Sequence, residues 1–191
     1  MDSNINIITI FGAIGYFGIA CYALEKFITN CKKGIYMHMT YNCALLISSI
    51  FLSIYYYKQA IYNQDDVNNL KQRYNKIIGH SLYVIYIIIA FLSYNKSLSH
   101  QYDLVGLIGH GLLLYASLKY TTHLYGVLFL TLYFALKAYS YKYISMFQVI
   151  INIILFVNYF ILFIFDYIEE KHEKHKKHEK NEKHEKHKKH N

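Results

Sequence analysis

Apolar runs of roughly 16–25 residues follow one another along most of this chain, broken by short polar stretches, and that is the length a helix needs to cross the hydrocarbon of a bilayer. Six such spans are expected, over residues 5–24, 35–57, 77–94, 104–118, 122–139 and 143–168. Glu25-Lys26 closes the first, and Lys32, Lys33 and Gly34 form the loop before the second. Residues 58–76 make the one substantial internal loop, and Lys96, His100 and Asp103 mark the turn into span four. Lys119-Tyr120-Thr121 predicts a very tight turn between spans four and five. Two crossings in residues 104–139 allow about 17 residues each at ~1.5 Å per residue, which only just reaches across; without the turn the count falls to five.

The expected fold class is therefore all-α, an integral membrane bundle over residues 1–168, with a soluble tail over 169–191. The first span lacks a basic leader and is too long for a signal sequence, so it reads as a retained helix. Gly12, Gly15 and Gly18 give it a small-residue stripe suited to close helix packing.

Charge sharpens the picture. Of 20 basic residues, nine lie in the tail, which also repeats the nonapeptide EKHEKHKKH at 170–178 and 182–190. Such a segment predicts a solvated, disordered or transiently helical extension, in which weak metal binding by the histidines is conceivable. Counting Lys and Arg on alternate sides favours both termini in the cytoplasm, an assignment that rests on the tail. The absence of proline and the excess of Ile, Tyr, Asn and Lys suggest an AT-rich coding sequence, which leaves His and Gly placement more informative. Cys21, Cys31 and Cys43 have no metal-ligand spacing and imply no disulfide.

Outside the tail there are five histidines, and four fall within spans two to five: His38, His80, His110 and His123. Ionisable side chains at membrane depth are costly and are candidates for function. Because successive spans are antiparallel, His38 and His110 are expected to face each other in one half of the membrane, and His80 and His123 in the other. Two helix-borne imidazoles facing across a gap suit bis-histidine ligation of haem. Gly79, Gly109, Gly111 and Gly126 lie beside three of them, where an absent side chain leaves room for a macrocycle edge.

Six spans with one histidine near the start of each central one resembles the cytochrome b561 family. Tyr36-Met37-His38-Met39 followed by Tyr57-Lys58 is similar to that family's second helix. Lys76 four before His80 is similar to its third, and His123-Leu124-Tyr125-Gly126 to its fifth. Met39 stands where the family usually has proline, and Leu107-Ile108-Gly109-His110-Gly111 departs from its Ser-Leu-His-Ser-Trp. The resemblance covers roughly residues 5–168 and implies two b-type haems on His38, His80, His110 and His123. It also implies transmembrane electron transfer, and, if the chain is an enzyme, an ascorbate-dependent monodehydroascorbate or ferric reductase. Lys58, Lys76 and His100 then become candidates for contact with the small-molecule donor and acceptor. Other expected partners are the lipid bilayer and, as an option left open, a second copy of the chain; nucleic acid is not among them. The alternative is a non-redox structural or transporter-type membrane protein. The sequence does not say which membrane.

Overall fold

The computed structural model describes residues 2–61, 70–93, 98–119 and 123–188, with side-chain surroundings for 9–61, 73–92, 102–119 and 123–172. It is all-helical. In chain order the helices are α1 (Asp2–Lys33), α2 (Tyr36–Ile61), α3 (Leu70–Ser93), α4 (Leu98–Lys119), α5 (Leu124–Tyr141) and α6 (Met146–Lys188).

Local chemistry sets several of the ends. α1 does not stop at Glu25-Lys26 but runs on to Lys33, where Gly34 turns left-handed at φ +68°. The Gly34 and Ile35 amides then donate to the carbonyls of Cys31 and Asn30 at 3.2 and 3.1 Å, a Schellman closure. Lys32 and Lys33 in the last turn complement the negative end of the helix dipole. Ser145 caps α6, its hydroxyl accepting from the Gln148 amide at 3.4 Å. Arg73 of α3 closes α4 from outside, donating to the Ser117 and Leu118 carbonyls at 2.8 and 3.0 Å.

Each helix packs on its neighbours in sequence, and α1 packs on α6, so chain order is order around a closed ring. Small-residue contacts fix the antiparallel registers. Gly106, Gly109 and Gly126 lie against Tyr133, Leu130 and Leu113 across α4 and α5, and Gly15 and Gly18 against Leu155 and Ile151 across α1 and α6. The stripe on α1 is thus a packing seam. Spans four and five are separate helices; most of the expected turn between them, 120–122, lies outside the described residues, as do 62–69 of the long polar loop.

The centre of the ring is aromatic. Tyr16, Tyr133, Phe134 and Tyr159 are fully buried or nearly so. Tyr16 and Tyr56 stack at 5.7 Å, and both place their hydroxyls on that of Tyr159, at 2.6 and 2.9 Å. The outside is apolar: Phe17, Leu92 and Tyr125 are 63%, 75% and 67% exposed, while Asn42, Ser48, His80, Asp103, His110, Lys137 and Asn158 are buried. An exterior this rich in large apolar side chains, around an interior that holds several polar ones beside its apolar core, is consistent with a lipid-facing surface. Among the described residues four stretches are long and apolar enough to cross a membrane: Thr9–Lys33, Tyr36–Ile61, Arg73–Leu92 and Met146–His172. α4 and α5 fall short of that measure; α4 carries Asp103 and His110, and α5 is 18 residues long and carries Lys137.

α6 also departs from expectation by continuing through the tail as one 43-residue helix. Residues 169–188 contain neither Gly nor Pro, and Glu precedes Lys by four at 170/174, 173/177, 179/183 and 182/186, the order that supports an isolated helix.

Candidate functional site

His80 and His110 meet in the middle of the ring. α3 and α4 each begin earlier than the apolar runs imply, at Leu70 and Leu98, so both histidines move from a helix end to mid-helix. Ten residues separate Leu70 from His80 and nine separate His110 from Lys119, which puts the two at one level of this antiparallel pair, ~15 Å from the same end. Both are fully buried. Their Nδ1 atoms lie 2.8 Å apart, with ring centroids at 5.1 Å and planes tilted by 49°. The Tyr83 ring stacks on His110 at 3.9 Å, and Tyr133 presents its edge at 6.4 Å. The backbone around His80 is pinned by Ser48, whose hydroxyl donates to the Gly79 carbonyl at 2.6 Å.

A hydrogen bond between two neutral imidazoles through Nδ1 fixes their tautomers in opposition. One ring donates Nδ1–H and has a bare Nε2; the other accepts at Nδ1 and carries Nε2–H. Both Nε2 atoms are buried and have no hydrogen-bond partner among the described residues. The pair is a two-ring bridge with an acceptor at one end and a donor at the other.

A second polar centre lies nearer the opposite end of α4 and α5. Lys137 Nζ contacts Asp103 Oδ1 at 2.6 Å with both side chains almost wholly buried. Tyr133 donates its hydroxyl to the same oxygen at 3.3 Å, and the ammonium lies 5.6 and 5.7 Å from the ring centres of Tyr133 and Tyr141. Beside it is a cavity of about 40 Å³, lined in part by Tyr22, Tyr86, Tyr141, Gln148 and Asn152. The sequence set Asp103 in the turn into span four and gave Lys137, within span five, no partner, so this centre was missed. Its signal is arithmetic: positions 103 and 137 sum to 240, one off the 239 shared by the Gly106–Tyr133, Gly109–Leu130 and Leu113–Gly126 contacts.

The other candidates are dispersed. His38 sits in the first turn of α2, half-buried beside Tyr41 at 5.3 Å, and α2 is not a main neighbour of α4. His123 precedes the first turn of α5 and is exposed. Lys76 lies one turn before His80, its ammonium 5.5 Å from the Tyr55 ring centre, and Lys58 is half-buried near the end of α2. His100 and the tail histidines beyond His172 lie outside the residues whose side chains are described.

Bis-histidine ligation of a haem requires two facing histidines with an iron-sized gap and a flat slot beside them. Among the described residues no histidine pair is so arranged. His80 and His110 are closed on each other, and the glycines expected to leave the slot are filled. A β-carbon at Gly79, Gly109 or Gly126 would lie 2.6, 2.6 or 2.8 Å from the side chains of Leu52, Leu130 and Leu113. Of the four glycines beside histidines, Gly111 alone has open space. The residues in this arrangement do not fit haem.

No family model matches the sequence, and neither a curated protein nor a solved structure is similar to it. The resemblance to the cytochrome b561 family gains no support from these comparisons.

Proposed function

We propose that this chain is a six-span membrane protein that passes protons through its interior, with His80 and His110 as the relay. The observation that carries the reading is the Nδ1–Nδ1 bond between two buried imidazoles whose outer nitrogens are both unpartnered. Ionisable groups held inside a membrane bundle mark ion pathways and proton relays. A proton reaching the bare Nε2 makes that ring an imidazolium. The shared proton then crosses from Nδ1 to Nδ1, and the second ring releases its Nε2 proton. Charge moves through both rings while neither moves far.

Each passage leaves the two tautomers exchanged. A second proton in the same direction waits until the rings reorganise, so the relay is slow, closer to a carrier than to an open pore. Polar groups extend the line both ways. Tyr133, beside His110, reaches on to Asp103 and Lys137; in the other direction Lys76 lies one helical turn from His80 on α3. α4 and α5 fall short in apolarity because they carry the charges of this line, and in the bundle Asp103 and Lys137 neutralise each other. In liposomes holding a pH-sensitive dye, the wild-type chain is expected to dissipate an imposed pH gradient. His80→Leu and His110→Leu should each slow this at least about tenfold, since one imidazole cannot bridge the span of two. Equal rates in wild type and both variants would reject the relay.

Electron transfer through two haems is the second reading, favoured by the same buried Nε2 atoms, which are nitrogens that iron commonly takes. It requires the His80–His110 bond to open and the leucines at Gly79, Gly109 and Gly126 to withdraw. A pyridine haemochrome assay on purified protein separates the two: bound b-type haem supports electron transfer, and a colourless protein supports the relay.

A further inference from the structure

Lys137 is surrounded as a bound cation would be. Its ammonium touches the Asp103 carboxylate at 2.6 Å and lies within 5.7 Å of the ring centres of Tyr133 and Tyr141. A carboxylate combined with aromatic faces is the chemistry that recognises a small organic or inorganic ammonium. Tyr133 and Tyr141 also line the adjoining cavity of about 40 Å³, together with Tyr22 and Gln148 and the apolar side chains of Ile19, Leu45 and Ile151. That is room for roughly three water molecules, and an ammonium ion is about the size of one.

We infer that Asp103, Tyr133 and Tyr141 form an intramembrane site for a small monovalent cation of the ammonium class, which Lys137 fills as a tethered plug. An arriving cation would occupy the cavity and compete with the lysine for Asp103, so the site is closed at rest and opens by exchange of one cation for another. In the proposed relay this places a cation-responsive gate at the step from Tyr133 to Asp103. The binding site itself does not depend on that reading.

The test is thermal unfolding of the full chain in detergent, with ammonium or methylammonium chloride against sodium chloride at matched ionic strength. Lys137→Met leaves a buried carboxylate without its cation, and its melting temperature should fall by roughly 10 °C. Millimolar methylammonium is expected to recover at least half of that loss in Lys137→Met. It should do nothing for Asp103→Asn/Lys137→Met, in which no buried charge remains. If Lys137→Met does not accumulate, Lys137→Gln carries the same test, since its amide still donates to Asp103. Equal effects of methylammonium and sodium on the single variant, or equal rescue of the double variant, would overturn the site. Wild-type proton flux in liposomes is scored separately. Its absence rejects the relay and leaves the cation site standing, whereas flux without rescue rejects the site alone.

Discussion

At the scale of residues, the account turns on which buried polar groups meet. His80 and His110 are recognisable from sequence as ionisable side chains within apolar runs, and both are buried at mid-helix. Their partnership was not legible, because apolar runs report where hydrocarbon contact begins rather than where a helix begins. Leu70–Asn75 and Leu98–Tyr102 are too polar to extend the runs but helical enough to extend α3 and α4, and those turns put both histidines at mid-helix and at one level of the pair. The bond between them makes a prediction about coupling. Removing one ring leaves the other Nδ1 buried without a partner, at a cost of about 1–3 kcal/mol, whereas removing both leaves none. His80→Leu and His110→Leu should each lower stability to denaturant in detergent. The double variant should lose at least about 1 kcal/mol less than the sum of the singles. Strict additivity would mean that the two rings do not interact.

At the scale of elements, glycine placement was read correctly as close approach but, at three of the histidines, assigned to the wrong neighbour. Gly79, Gly109 and Gly126 each receive a leucine from an adjacent helix, so they set interhelix distance as Gly15 and Gly18 do on α1. A glycine next to a histidine suits a cofactor edge and a leucine knob equally well, and sequence carries nothing to separate them. Gly109 and Gly111 flank the same histidine with opposite surroundings. Gly109→Ala must displace Leu130, including its backbone nitrogen at 3.0 Å, and should cost about 1–3 kcal/mol. Gly111→Ala meets nothing within 4 Å and should be neutral or slightly stabilising through helix propensity. Chemical unfolding of the two variants side by side checks the α4–α5 register. The tail helix belongs at this scale too: its Glu-to-Lys spacing was present in the repeat, but composition argued for disorder and outweighed it.

At the scale of the whole molecule, four stretches long and apolar enough to cross a membrane and an exterior rich in large apolar side chains are consistent with a lipid environment, and the closed ring gives the interior a single axis. The all-helical class and the number of helices were legible because apolar periodicity and length are strong signals. The order around the ring was not, because the length and periodicity of an apolar run do not say which helix it packs on; α6 contains no Gly, Ala, Ser or Thr to mark its contacts. The proton line requires that α4 and α5 cross the bilayer with the other four, despite the charges they carry. Lys119, exposed at the end of α4, decides this. With Cys21, Cys31 and Cys43 replaced by serine, Lys119→Cys should be labelled by a membrane-impermeant maleimide from the side that holds the C-terminal tail, because α5 and α6 then both cross after it. Restored Cys31 should label from the opposite side. Labelling of position 119 from the side opposite the tail would mean that α4 and α5 do not span, and would contradict the six-helix path through the membrane.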